Sequence, residues 1–194
     1  MELLTPTTEL QAVNTMLKVI GESPVSTLED TGLADVADAK AILRETSREV
    51  QTRGWDFNLE KNYSLPRDEN GHIYVLPNTL RVDVTKLDKH TYDVVQRGQR
   101  LYDRKNHTFA FDKTLQVNLL VFLDFEELPE AARYYITIRA ARKFNDRDLT
   151  DQATHIYSQA DEDSALVTLK EAEGDTGDYN MFNDSYSVAS ILGR

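Results

Sequence analysis

Apolar positions recur along this chain at two different spacings, and the change between them divides it. Between Leu33 and Asn58 the residues Val36, Ala39, Leu43, Thr46 and Val50 fall on one stripe at helical spacing, which predicts an amphipathic helix over about Leu33 to Arg53. Gly54 supplies the left-handed residue that ends such a helix, and Trp55 follows where its ring can pin the exit to the core. A first helix precedes it, capped by Thr7 or Thr8, with Leu10, Val13, Leu17 and Ile20 apolar and a stop at Gly21. The loop Glu22 to Gly32, which contains Pro24, would let these two helices pack as a hairpin.

After Phe57 the period drops to two. Ile73 with Val75, Leu80 with Val82 and Val84, and Tyr92 with Val94 alternate with polar residues, as half-buried strands do. Asn70-Gly71, Arg97-Gly98 and Lys105-Asn106 punctuate these runs as turns. Val117 to Phe125 is apolar on both sides, which places that strand centrally in its sheet.

Helical spacing then returns. Pro129 marks a first helical position, and the segment to Asn145 carries Tyr134, Tyr135, Ile138 and Ala141 on one face and Ile136, Ala140 and Phe144 on another, so it is sandwiched. A last helix, starting at Asp148, Thr150 or Asp151, shows a single narrow stripe of Ala153, Ile156, Tyr157, Ala160, Ser164 and Val167. The remainder, GDTGDYNMFNDSYSVASILGR, has no sustained period but holds Tyr179, Met181, Phe182, Tyr186, Ile191 and Leu192. These are anchors that a merely solvating tail does not need, and they read as an arm ordering against a partner; packing back on its own subunit is the alternative.

The expected fold is therefore α+β. A bundle of about four helices comes from both chain ends (1–57 and 126–173), a mainly antiparallel β module is inserted between them (58–125), and a C-terminal arm follows (174–194).

Composition narrows the function. A globule of 194 residues buries roughly 70% of its unfolded surface and needs no staple. There is no cysteine, which removes thiolate catalysis, zinc-thiolate sites and disulfides together. No apolar run reaches the roughly 20 residues of a membrane span, and MELLTPTTEL lacks the pattern of a signal peptide, so the expected place of synthesis is the cytoplasm. The net charge of -11 argues against wrapping nucleic acid, although an acidic wall lets DNA slide past.

That charge is unevenly placed. From Asp146 to Arg194 eleven Asp and Glu face three Lys and Arg, whereas Lys86 to His107 is locally basic, a dipolar arrangement suited to head-to-tail association. On the main helix Lys40, Arg44 and Arg48 form one ridge and Glu45 and Glu49 the next, with Asp38 close by, which offers a charged lateral contact or a solvated face. Arg97, Arg100, Arg104 and Lys105 flank a hairpin turn with Tyr102 interleaved and could meet an acidic protein face.

No Gly-rich phosphate loop, nucleophile elbow or paired histidines occur, and no cofactor or metal motif. His72, His90, His107 and His155 are far apart, and the fragments at Asp68 to Gly71 and Asp175 to Asp178 fall short of calcium loops. Carboxylates at Asp124, Glu126 and Glu127 and at Asp161, Glu162 and Asp163 leave a glycosidase pair open, but in an acidic chain such clusters arise without purpose. The reading is of a non-enzyme.

Four blocks carry a resemblance. Thr8 to Leu28, TELQAVNTMLKVIGESPVSTL, with Gln51 to Asn58, QTRGWDFN, resembles the start of the tail tubular protein A family of short-tailed phages. Leu128 to Arg147, LPEAARYYITIRAARKFNDR, is similar to its third helical block, and Tyr179-Asn180-Met181 with Leu192-Gly193-Arg194 resembles its C-terminus. The resemblance implies a structural virion protein without cofactor, assembled in the host cytoplasm as a dodecameric adaptor ring between the portal protein and the tail nozzle (tail tubular protein B). Tail fibres would dock near it and the genome would pass through its bore. On that reading Arg97, Arg100, Arg104 and Lys105 and the charged helix from Lys40 to Glu49 serve lateral or tail contacts, and the six C-terminal anchors form a docking arm. The alternative is a tail-associated protein that binds or cuts surface glycans.

Overall fold

The computed structural model describes residues 5–29, 32–86, 88–148 and 157–176. Among these described residues four α-helices and five strands follow one another in an α+β fold, and the chain divides into two compact units. One is built from the residues up to Leu43 and from Pro129 onward; the other is Arg44–Leu128. The first division falls inside the second helix, where the sequence reading had put it after Phe57.

In the helical unit, α1 (Glu9–Val19) begins at Thr8, whose hydroxyl accepts from the Gln11 amide while the Gln11 side chain accepts from the Thr8 amide, a reciprocal cap. It buries Ala12, Val13, Met16, Leu17 and Val19. The loop after it is tied back by Asn14, whose amide group donates to the Val25 carbonyl (3.0 Å) and accepts from the Val25 amide (2.8 Å). The main helix is α2 (Ala34–Thr52), and all five residues of its expected stripe are buried. α1 packs on α3 (Glu130–Asp148) and makes few contacts with α2, so the expected hairpin of the first two helices is replaced by a pairing distant in sequence. Glu130 explains part of that choice: it accepts from the Thr7 amide (2.7 Å) and hydroxyl (2.5 Å), and Arg133 donates to the Thr7 carbonyl (2.8 Å). Pro129 sits one place before the helix, its carbonyl accepting from the Ala132 and Arg133 amides.

α3 is buried through Ala132, Tyr135, Ile136, Ile138, Ala140, Ala141 and Phe144, as a sandwiched helix should be, but Tyr134 is 49% exposed. α4 (Gln159–Thr176) starts later than expected, behind Ser158, which exchanges hydrogen bonds with Asp161 as its cap. Its packed face is also not the expected one. Glu162, Ala165 and Leu169 are buried, while Ala160 and Ser164 are exposed and Val167 is 52% exposed. Ala153 and Ile156, and the starts proposed at Thr150 and Asp151, lie outside the described residues.

In the second unit β1 (Leu59–Leu65), β5 (Leu115–Val121) and β2 (Thr79–Val84) form an antiparallel sheet in the order β1-β5-β2, so the strand apolar on both sides is central. β1 pairs Tyr63 with Val117 after a bulge at which Asn62 is left-handed (φ 56°), and Asn118 accepts its amide proton. β3 (Val94–Arg97) and β4 (Arg100–Asp103) form a separate hairpin. The expected strand at Ile73 and Val75 is reduced to isolated bridges, from Ile73 to Arg67 and from Tyr74 to Arg100. Its apolar residues still enter one core with Leu65, Val82, Val84, Leu101, Phe111, Leu115, Val117 and Leu119.

Candidate functional site

The hairpin β3–β4 turns at Gly98, left-handed at φ 62°, with Arg97 opposite Arg100 across the turn. Strand alternation then sorts its side chains. Val94 and Leu101 point into the core, and Val95, Arg97, Arg100 and Tyr102 share the other face. There Arg97 lies 3.6 Å over the Tyr102 ring and Arg100 lies 4.5 Å over Phe109, and the two rings meet edge to face at 4.8 Å. Tyr74, 51% exposed, bridges to Arg100 through the backbone.

The four basic residues expected to act together thus have two different roles. Arg104 donates to Asp93 (2.7 Å) and the Lys105 ammonium to the His90 carbonyl (2.6 Å), so both brace the hairpin's own loop. Arg97 and Arg100 are stacked on rings and make no ion pair among the described residues. Phe109 escaped sequence reasoning because the stretch after β4 has no strand period. The Arg-x-x-Arg-x-Tyr spacing around a Gly turn was the available signal.

Beneath the hairpin lies a polar network. Asp103 is fully buried; burial pushes its carboxyl up, but the amides of Asp93 (3.1 Å) and Lys105 (2.9 Å) and the Asn106 side chain (2.5 Å) outweigh this and hold it below the ordinary carboxylate range. Asp88 pairs with Lys113 at 2.6 Å. The Tyr92 hydroxyl donates to Asp112, and burial, that hydrogen bond and the charges of Asp112, Asp88 and Asp103 push its pKa up to about 12. Because the folded value lies above the ordinary tyrosine value of about 10, this stabilisation is whole below pH 10 and is lost as pH rises through 12. Urea unfolding at pH 9, 10 and 11 is expected to show stability falling more steeply in the wild-type protein than in Tyr92→Phe, which lacks the proton.

On α2, the Lys40 ammonium donates to the Leu28 carbonyl at 3.2 Å. Arg44 and Arg48 border an open groove of about 680 Å³ shared with Pro77, Leu80, Phe122, Asp124 and Glu127, and Arg48 lies 5.6 Å over the Phe122 ring. Glu45 and Glu49 are exposed on the adjoining ridge. Three of the six carboxylates considered for glycan chemistry have structural tasks: Glu127 accepts from the Asp124 amide (3.2 Å), Asp161 completes the cap of α4 with Ser158, and Glu162 is held by Arg139 and Arg142 of α3. Among the described residues no group of three or more His, Asp and Glu is placed to hold a metal, and no helix is long and apolar enough to cross a membrane. Tyr179, Met181, Phe182, Tyr186, Ile191 and Leu192 lie outside the described residues.

The block QTRGWDFN has a structural meaning as well. Buried Gln51 donates to the Leu123 carbonyl (2.9 Å) and accepts from the Leu123 amide (2.8 Å), and buried Asn58 donates to the carbonyls of Gln51 (3.1 Å) and Val121 (2.9 Å). The end of α2 is thereby stitched to the end of β5. A β-carbon on Gly54 would stand 3.2 Å from Arg81 and 3.5 Å from Leu120, so the exit from α2 has both a left-handed residue and little room.

Residues 10–179, which run through both units, match the family model described as tail tubular protein. The chain is 29% identical over 164 residues to tail tubular protein A of Klebsiella phage KP34, covering 84% of this chain and 86% of that one. The basic hairpin, the charged α2 and the braced α3–α4 pair are therefore features of a structural protein of a phage tail, and the chain belongs to the tail tubular protein family.

Proposed function

We propose that this chain is the subunit of an adaptor ring between the portal protein and the tail nozzle of a short-tailed phage, giving a channel for the genome and a platform for tail fibres. The observation that carries the reading is the family match, which runs through both the helical and the β unit and so supports a structural role for the whole subunit. Unlike charged surfaces support it. A ring is a heterologous assembly in which each subunit offers two different faces, and the hairpin's cations and the acidic C-terminal quarter differ in that sense. Assembly would take place in the host cytoplasm, and the genome would pass the acidic bore without sequence-specific binding, through a ring of the twelve copies that the family resemblance implies.

Electron microscopy of the purified protein with and without its portal tests this: closed rings seated on the portal are expected, and particles that package and eject normally without the protein would overturn it. The C-terminal arm gives a second check. Deleting the residues after Gly177 is expected to leave a folded protein that no longer joins the tail, and unchanged incorporation would remove the arm from the account.

A further inference from the structure

Arg97 and Arg100 face each other across a two-residue turn, and like charges directly opposite on paired strands repel. Nearby Asp93 is occupied by Arg104, and the described residues bring no carboxylate to either guanidinium. Stacking on Tyr102 and Phe109 holds both side chains in place while leaving their N–H edges open, so much of the ordering cost of binding is already met. The arrangement lacks only an anion.

A second surface has the opposite want. On α4 the residues Asp163, Val167 and Glu171 are spaced i, i+4 and i+8 and form one exposed ridge on the side away from buried Glu162, Ala165 and Leu169. Val167 is a large apolar side chain left 52% exposed at its centre, with a carboxylate one turn to either side. Lys170 borders the ridge and leaves it net negative. Among the described residues Glu171 has no ion pair, and Asp163 accepts a single hydrogen bond, from Gln159 at 3.1 Å.

We propose that Arg97 and Arg100 of one copy dock on the Asp163–Val167–Glu171 ridge of a second copy, the guanidiniums taking the two carboxylates and the Tyr102–Phe109 pair covering Val167. The contact joins unlike patches, so it leaves the same two patches open at the ends and propagates until it closes. It rests on the ring reading and gives that ring a specific lateral contact. Planar guanidiniums suit carboxylate pairing where lysines would not, which accounts for arginine at both stacked positions.

The cysteine-free sequence makes the test clean. Phage carrying the full chain with Gln99→Cys and Ser164→Cys together, treated with a short bismaleimide, are expected to give a ladder of covalent multimers, and either single variant none. Adding Arg97→Glu with Arg100→Glu should abolish the ladder, and adding Asp163→Arg with Glu171→Arg to that chain should restore it. A cross-link confined within one chain, dimers from a single variant, or no ladder overturns the proposed contact. An amine-reactive cross-linker separates the two ideas: a ladder with it but not with the bismaleimide leaves the ring standing and removes this contact, and a ladder with neither removes both.

Discussion

Gln51→Leu is expected to lower the stability of the unit Arg44–Leu128 by about 3 kcal/mol, because it removes the partners of two backbone groups at once. Leucine keeps most of the volume, so a cavity contributes little. The loss comes from the Leu123 amide and carbonyl, which lie just past the end of β5 and have no ladder to join there. Each such group left without a partner costs about 1–3 kcal/mol. Asn58→Leu is expected to cost a similar amount, since its side chain serves the Trp55 amide (3.0 Å) and two carbonyls from a site that is 1% exposed. The two losses should be less than additive, because Asn58 also binds the Gln51 carbonyl and the residues form one network. Trp55 is the only tryptophan and its indole donates to the Val50 carbonyl at 2.8 Å, so its fluorescence in urea reads this unit directly. A midpoint shift equivalent to less than about 1 kcal/mol would mean that water replaces the amides, and the stitch would not be what joins α2 to β5.

Most of the frame was legible because burial acts on period. The stripe of α2, the cap at Thr8, the central place of β5 and the turn at Gly98 all follow from rules local to a few residues. β1 was not legible as an individual strand, since only Leu65 of its seven residues is buried and its sequence LEKNYSL has no alternation to read. α1 was sent to the wrong neighbour because adjacency in the chain is a weaker force than the contacts of Thr7 with Glu130 and Arg133. At the candidate site the residue types were right but their uses were mixed. Arg104 and Lys105 look like Arg97 and Arg100 in sequence, and only the return of the loop past Asp93 and His90 separates them.

α4 is the instructive miss, and it carries the second large effect. A search for apolar residues selects Ala160, Ser164 and Val167 and passes over a face headed by a glutamate. The helix turns the other way because Arg139 and Arg142, one turn apart on α3, both reach Glu162, which is 7% exposed. A carboxylate accepting from two arginines is neutralised well enough to enter a core that would reject it alone. Glu162→Leu is therefore expected to destabilise the α3–α4 pairing by about 3 kcal/mol, at the low end of the range for breaking a buried pair, since both guanidiniums keep about a fifth of their side chains in water. Leucine belongs on a packed face by size and polarity, so a hydrophobic ledger alone would give the opposite sign. The damage is the loss of the one carboxylate that both Arg139 and Arg142 reach. Replacing all three, with Arg139→Met and Arg142→Leu added, should recover much of the loss, as apolar groups of similar volume then fill the same space. Thermal unfolding of the three chains decides it: a single variant as stable as the wild type would show that the triad does not orient α4, and a triple variant no better than the single one would place the cost in packing rather than in charge.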